Sequence, residues 1–254
     1  MSYLIILLFG LVMGSFINVC IHRLPRNESI IHPSSHCPSC ERPIRIYDNI
    51  PLISFILLKG RCRFCQAKIP LRYPWVEFIH GVGAISMAHQ FSLSWAALIY
   101  FLFFSSLVAV AFIDLSHQIV PDVITLPGMV CGLMASSMVL PPGFMGALVG
   151  LLVGGGLFYL IAILSVVLLK KEGMGGGDIK LIAMIGAFLG WQEVLITIFL
   201  AALLGSIVGL SLIVFCGRSR SDPIPFGPFL ALGAVSSLFL GGEILKQYLS
   251  IGRM

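Results

Sequence analysis

Long apolar stretches, separated by short polar segments, recur along almost the whole chain. A helix that crosses the hydrocarbon core of a membrane needs roughly 17–25 mostly apolar residues, and the pattern predicts about eight such helices. Those at 75–90, 178–190 and 226–240 are short for a full span. The predicted segments cover residues 3–21, 75–90, 93–113, 119–140, 143–169, 178–190, 193–215 and 226–240.

Composition agrees with this pattern. Of the 254 residues, 58% are hydrophobic and 11% are charged, and the mean hydropathy is +1.01. Such values exclude an ordinary soluble domain. The first segment lacks the basic residues and the small-residue cleavage site of a signal peptide, so we interpret it as a retained helix. We therefore predict an all-α polytopic membrane protein with a first transmembrane helix at 1–21, a polar loop domain at 22–73 and a helical bundle at 74–254.

The distribution of lysine and arginine predicts the orientation in the membrane. Loops rich in these residues stay in the cytoplasm, and the loop 22–73 holds nine of the 16. If this loop lies inside, most of the other lysines and arginines are also cytoplasmic. Lys246, Arg253 and the N-terminus then lie outside. The net charge of +5 then reflects topology, and no nucleic-acid partner is expected. The cytoplasmic set is Arg23, Arg26, Arg42, Arg45, Lys59, Arg61, Arg63, Lys68, Arg72, Lys170, Lys171, Lys180, Arg218 and Arg220.

Two CxxC pairs in this loop, CPSC and CRFC, indicate a metal site. Cys37, Cys40, Cys62 and Cys65 have the spacing of two turns that each direct both sulfurs toward one point, which suits tetrahedral zinc. Two disulfides or four free thiols are the alternatives. A reducing cytoplasm argues against disulfides, and the paired spacing argues against free thiols. Because the protein supplies all four ligands, such a zinc ion would be structural and not catalytic.

Two aspartates at predicted helix ends are the candidate catalytic residues. An aspartate at the centre of a spanning helix costs about 2.5–3.5 kcal/mol, so acidic residues near helix ends that face a polar cavity are functional candidates. Asp114 ends the third predicted span, and Asp178 begins the sixth. Both fall at cytoplasmic ends and at similar depth, which predicts that their carboxylates meet.

Two adjacent carboxylates share one proton and are suited to peptide hydrolysis. The ionised member takes a proton from water, while the protonated member donates one to the peptide carbonyl oxygen. Gly175 and Gly177, just before Asp178, lack side chains and would let a substrate backbone approach closely. Alternatively, Asp178 serves only as an N-cap or first-turn residue, where a carboxylate favours the positive helix end. The two roles are compatible.

Six motifs in their order along the chain resemble the type IV prepilin peptidases, which are membrane aspartyl proteases of the GxGD class. The resemblance covers nearly the whole chain. The motifs are GSFINVCIHRLP at 14–25, the double CxxC, RYPWVE at 72–77, FIDLSHQIVPD at 112–122, GMGGGDIKL at 173–181 and PIPFGPFLALG at 223–233.

The resemblance implies the residues of an active site. In the family, the first aspartate of the D-x7-D segment and the aspartate of GxGD form the catalytic pair, which carries over to Asp114 and Asp178. Asp122 is then an accessory residue that positions the substrate, and it is the replacement if Asp114 has been misassigned. Pro225 lies in the motif expected beside the pair, where a substrate-positioning role and a purely structural role are both open.

The resemblance also implies a substrate and a methyl donor. Family members remove the basic leader of type IV prepilins and type II secretion pseudopilins after a glycine, at the cytoplasmic face of the bacterial inner membrane. The longer members, which carry the four cysteines, then methylate the new N-terminal amine with S-adenosylmethionine. The residues themselves do not predict a site for this methyl donor, since no strand followed by GxGxxG opens a helix here.

Three alternative functions are left open. In the first alternative, the protein is a peptidase without methyltransferase activity. A polytopic secondary transporter, the second, would also place carboxylates among broken helices, but its coupling residues should lie near mid-membrane, and no inverted repeat is visible. A non-catalytic zinc-binding membrane scaffold, the third, would use the aspartates only as helix caps.

Overall fold

The computed structural model describes residues 2–170, 174–217 and 224–251, with side chains for all of these except 169 and 244–251. Lys171, Gly173, Arg218, Arg220, Pro223 and Arg253, which enter the topology and motifs above, lie outside the described residues. The described helices are α1 (Ser2–Arg23), α2 (Ile53–Leu57), α3 (Arg72–Phe91), α4 (Trp95–His117), α5 (Asp122–Met138), α6 (Gly143–Leu169), α7 (Gly176–Leu189), α8 (Trp191–Cys216) and α9 (Gly227–Ile251).

Every predicted apolar segment corresponds to one long helix, and the all-helical fold is confirmed for the described residues. The largest boundary difference is at α9, which continues to Ile251. α2 is an additional short helix in the polar loop, and its five residues are too few to show a helical period. Among the described residues, four helices are long and apolar enough to cross a membrane, whereas about eight spans stays a prediction. The four are Ser2–Arg26, Trp95–His117, Gly143–Leu168 and Trp191–Cys216.

The chain divides into two compact units, Met1–Ala109 and Val110–Met254. In the first unit, α1 and α3 pack antiparallel along glycines. A Cβ on Gly10 would lie 2.8 Å from the Ala84 Cβ, and one on Gly14 would lie 2.6 Å from the Glu77 Cα. The missing side chains therefore let the two backbones approach closely, as small residues do between membrane helices.

The second unit is built around α7. Residues 181–189 of this helix are all buried, and α7 packs against α5, α6, α8 and α9. A helix that is apolar on every face belongs in the centre of a bundle. Its 14 residues extend about 21 Å, less than the hydrocarbon thickness of about 30 Å. If α7 crosses the membrane, at least one of its ends therefore lies within the hydrocarbon layer.

We expect Gly150→Ala to destabilise the second unit, because α6 and α7 touch backbone to backbone at Gly150 and Gly186. A Cβ on Gly150 would lie 2.7 Å from the Gly190 carbonyl carbon. Such overpacking costs about 1–3 kcal/mol and should lower the thermal unfolding midpoint in detergent. Gly146→Ala, one turn earlier, is the matched control, since its Cβ would meet only the Pro142 Cβ at 3.4 Å. Equal midpoints for the two variants would contradict the close packing.

Candidate functional site

Asp114 lies near the end of α4 and is buried, with 5% of its surface exposed. Its Oδ2 accepts a hydrogen bond of 2.8 Å from the backbone N–H of Gly227, the first residue of α9. The first N–H groups of a helix have no partner within the helix, so a carboxylate suits them. A Cβ on Gly227 would lie 2.7 Å from this oxygen, so the contact requires glycine. Pro225 is partly buried in the segment that leads into α9.

Asp178 lies in the first turn of α7 and is partly buried. Gly175, not Asp178, occupies the N-cap position, and its carbonyl accepts the Asp178 N–H at 3.1 Å. Asp178 interacts electrostatically with Asp114. The structure thus brings together the two aspartates that the sequence paired by depth.

Asp122 has a different partner. Its two carboxylate oxygens accept hydrogen bonds from the Lys180 Nζ at 2.7 and 2.8 Å, which joins the first residue of α5 to the second turn of α7. The Asp122 side chain is 54% exposed, and exposed ion pairs contribute only about 0–1 kcal/mol. The pair therefore neutralises Asp122 and holds the two helix starts side by side, with little effect on stability.

The glycines ahead of Asp178 have different surroundings. A Cβ on Gly177 would lie 2.8 Å from the Val120 Cβ, whereas one on Gly175 would meet nothing closer than the Asp178 Oδ2 at 3.7 Å. Gly176 has nothing within 4 Å of such an atom. Gly177 therefore lets the start of α7 pack against the segment before α5, while Gly175 leaves space beside the carboxylate.

The two CxxC segments fold into turns with the same backbone pattern, which we call knuckles (37–42 and 62–67). In each knuckle, the backbone N–H of the first cysteine donates to the carbonyl of the residue five positions later. The backbone N–H of the residue four positions later donates to the carbonyl of that cysteine. These bonds measure 3.0 and 2.8 Å at Cys37, and 2.9 and 3.1 Å at Cys62. The fourth residue after each cysteine, Glu41 or Gln66, has a positive φ of 57° or 58°. Each closed turn directs its two sulfurs to one side, as a metal site needs.

The four cysteine sulfurs form one cluster. The Sγ atoms of Cys37, Cys40, Cys62 and Cys65 all lie within 4.8 Å of one another, and those of Cys37 and Cys65 are 3.8 Å apart. Tetrahedral coordination with bonds of about 2.3 Å separates the sulfurs by about 3.8 Å. All four thiols are free, so the disulfide alternative is wrong and the donor set fits a metal ion. Backbone N–H groups of Cys65 and Phe64 lower the pKa of Cys62 to about 7, whereas the pKa of Cys65 is raised, so the neighbouring sulfurs share protons until a cation binds.

Cationic side chains join the two knuckles. The Arg42 guanidinium lies 5.1 Å from the centre of the Phe64 ring, and that of Arg45 lies 5.3 Å from it. Arg63 donates to both carboxylate oxygens of Asp48 at 2.6–3.1 Å, and these bonds hold the pKa of Asp48 below its usual range. Such cation–π and ionic contacts support the cluster geometry through the protein alone.

The fold and these two groups of side chains define a helical membrane protein that carries a carboxylate pair and a separate thiolate cluster. Residues 8–91 match the model of the bacterial peptidase A24 N-terminal domain, and residues 82–210 match that of the type IV leader peptidase family. The chain belongs to the type IV leader peptidase family. The resemblance seen in the motifs is therefore confirmed.

Related proteins align with nearly the whole of this chain. A prepilin leader peptidase/N-methyltransferase of Aeromonas salmonicida is 38% identical, covering 97% of this chain and 93% of the relative. Proteins of the same name from Stutzerimonas stutzeri and Pseudomonas aeruginosa are each 36% identical, covering 98% and 96% of this chain and 94% and 92% of the relatives. No solved structure matches the chain.

The sequence does not predict two contacts of the carboxylate site. One is the N–H of Gly227 on Asp114, for which the available signal is a glycine between two prolines at a predicted helix start. The other is the ion pair of Lys180 with Asp122, for which the signal is a lysine two residues after the GxGD aspartate. Neither signal specifies a partner, because each partner lies more than fifty residues away in the chain.

We expect the protein to bind one divalent ion through its four clustered thiolates. Elemental analysis of the purified full chain should give one metal ion per chain. The double variant Cys37→Ser, Cys62→Ser removes one ligand from each knuckle and should lose the ion. Cys131→Ser is the control, since that thiol is exposed on α5, outside the cluster. Full metal content in the double variant would contradict the site.

Proposed function

We propose that this protein is a prepilin leader peptidase that also N-methylates its product, as its relatives are named. The observation that carries the proposal is that Asp114, near the end of α4, and Asp178, in the first turn of α7, lie close enough to interact electrostatically. Its substrates are type IV prepilins or the pseudopilins of type II secretion. Each presents a short basic leader, a glycine at the cleavage point and an apolar helix beyond it.

In the proposed reaction, Asp114 and Asp178 share one proton. The ionised carboxylate takes a proton from water as the water oxygen attacks the peptide carbonyl carbon, and the protonated one donates to the carbonyl oxygen. The C–N bond then breaks as the carboxyl group that took the water proton gives it to the leaving nitrogen, which becomes the new amino terminus. The other carboxylate takes back a proton from the collapsing hydroxyl group, so a carboxyl group forms on the leader and the pair again shares one proton. The Gly227 N–H stabilises negative charge on Asp114, so we assign Asp114 as the base and Asp178 as the acid.

Four residues around the pair are proposed to position the substrate. Gly175 leaves room for an extended backbone beside the carboxylate, and Gly177 acts through its packing on Val120. Asp122 acts through its ion pair with Lys180 and is not a member of the catalytic pair. Pro225 directs the chain into the start of α9.

We propose that α1 and α3–α9 form about eight spans of the bacterial inner membrane. The N-terminus lies outside, and the carboxylate pair faces the cytoplasmic side. The distribution of lysine and arginine supports this orientation. It places the cleavage site where a newly made prepilin presents its leader, before the apolar helix leaves the cytoplasmic face of the lipid bilayer.

The loop domain, residues 22–73, is proposed to hold structural zinc and to support methyl transfer. It lies between the first helix, 1–21, and the peptidase bundle, 74–254. The tetrahedral fit of the sulfurs and the absence of an open ligand position support a zinc ion that stabilises the loop. S-adenosylmethionine is the methyl donor consumed in the second reaction.

Replacement of either paired aspartate by asparagine should abolish cleavage. Mass spectrometry of a prepilin incubated in detergent with wild type should show loss of the leader, with the mass of one methyl group added when S-adenosylmethionine is present. Asp114→Asn and Asp178→Asn should each cleave about 10²–10⁴-fold more slowly, because each removes one acid–base group. Asp122→Asn removes one charge of the exposed ion pair with Lys180 but no acid–base group, so it should slow cleavage less than either paired variant.

The outcomes separate the alternatives. Cleavage by both paired variants would mean that the aspartates are structural, and the peptidase mechanism would fail. Loss of cleavage in Asp122→Asn but not in Asp114→Asn would move the pair to Asp122 and Asp178. Cleavage by wild type without the methyl gain would leave a peptidase alone.

The close packing of Gly177 predicts a second effect on cleavage. Gly177→Ala forces the start of α7 away from Val120 and so shifts Asp178. A displacement of about 1 Å in a catalytic group lowers the rate by about 10²-fold, so kcat should fall while the chain stays folded. Gly176→Ala adds the same methyl group where nothing lies within 4 Å and should cleave at the wild-type rate. Equal rates for the two variants would show that this packing does not position Asp178.

A further inference from the structure

Two of the six motifs, GSFINVCIHRLP and RYPWVE, contribute no residue to the carboxylate pair or to the thiolate cluster. They lie on α1 and α3, in the glycine-packed hairpin of the first unit. Three of their polar side chains are buried there: Asn18 is 1% exposed, Arg23 is 6% and Glu77 is 8%. Polar groups buried among apolar helices need partners, and the partners of these three lie in or next to the loop that carries the cysteines.

Arg23 and Asn18 secure the two ends of this loop. The Arg23 guanidinium donates to the Ser29 carbonyl at 2.9 Å and to the Pro33 carbonyl at 2.8 Å, just ahead of the first knuckle. The Asn18 Nδ2 donates to the Tyr73 carbonyl at 3.0 Å, where the loop returns into α3. Both ends are thus held by side chains of α1.

Glu77 reaches the middle of the loop. Its Oε2 accepts the backbone N–H of Leu52 at 2.8 Å. Leu52 has φ 60° and ψ −47°, a backbone conformation that residues other than glycine rarely adopt. α2 begins at the next residue, so the carboxylate of Glu77 holds the strained residue that sets the direction of α2.

α2 leads directly into the second knuckle. The Ser54 Oγ in its first turn donates to the Tyr47 carbonyl at 2.9 Å, which closes the segment before the helix. After the helix, the Gly60 N–H donates to the Phe55 carbonyl at 2.9 Å, two residues before Cys62. A continuous series of short-range contacts therefore connects Leu52 to the metal-binding turn.

We propose that Glu77 is a positioning residue that fixes the four-cysteine loop on the α1–α3 hairpin through Leu52. The loop is thereby held in the arrangement used for methyl transfer, and this last step rests on the proposed function. The property that matters is a hydrogen-bond acceptor at the reach of a glutamate side chain, and not its negative charge.

Hydrogen exchange of the full, metal-loaded chain in detergent tests this contact without reference to activity. Glu77→Gln keeps an oxygen acceptor at the same reach, so exchange across residues 50–60 should match wild type. Glu77→Leu removes the acceptor, and Glu77→Asp keeps the charge but is one methylene too short. In both of these variants, the amide hydrogens of residues 50–60 should exchange about tenfold faster or more. Glu28→Leu, at an exposed glutamate of the same loop, is the control and should match wild type.

Methylation should follow the exchange result. It should be retained in Glu77→Gln and fall about tenfold in the Leu and Asp variants, whereas leader cleavage and metal content should be unchanged in all three. Wild-type exchange in both the Leu and the Asp variant would overturn the proposal. Loss of methylation in Glu77→Gln with wild-type exchange would also overturn it, because the charge would then act in the reaction itself. If the wild-type protein cleaves the leader but never methylates the product, the proposed methyltransferase activity is refuted. Hydrogen exchange alone then tests the contact of Glu77 with Leu52.

Discussion

Carboxylates buried among apolar helices need hydrogen-bond donors, and in this protein helix starts supply them. The N–H of Gly227, at the start of α9, serves Asp114, and that of Leu52, just before α2, serves Glu77. Backbone groups at helix starts are unpaired within their own helix, so each such contact satisfies donor and acceptor together. Asp114 and Glu77 are consequently each held at a place where another helix begins.

Glycine makes these contacts possible, in a different way at each position. At Gly227 the missing Cβ leaves room for the Asp114 carboxylate itself. At Gly177 it leaves room for Val120, which is a neighbour of the site and not a part of it. At Gly14 it brings α1 against the Cα of Glu77. Glycine-rich motifs in this chain thus reflect close packing around the acids at least as much as access for a substrate.

The sequence predicts those features that depend on local spacing or on membrane thickness. Apolar run length identifies α1 and α3–α9, and the CxxC spacing identifies the cluster at Cys37 and its three partners. The predicted topology pairs Asp114 with Asp178, because helix ends on one side of a membrane share a depth, and the two interact electrostatically. The contacts of Lys180 and Gly227 depend instead on the rotation and register of helices distant in the chain. Residues 181–189 of α7 are apolar on every side, so this part of the sequence marks no face from which that rotation can be read.

The two proposed reactions place opposite demands on one nitrogen atom. Cleavage delivers a proton to the leaving nitrogen, whereas methyl transfer needs the lone pair of the neutral amine. An α-amino group has a pKa of about 7.7–8.0, so roughly one-tenth to one-fifth of it is neutral near pH 7 without any catalytic base. A pair of carboxylates nearby would hold the same group as an ammonium ion and suppress that fraction. Methyl transfer is therefore favoured away from Asp114 and Asp178. This is a chemical reason for one chain to carry its acidic pair on the helices α4 and α7 and its thiolate cluster on a separate loop.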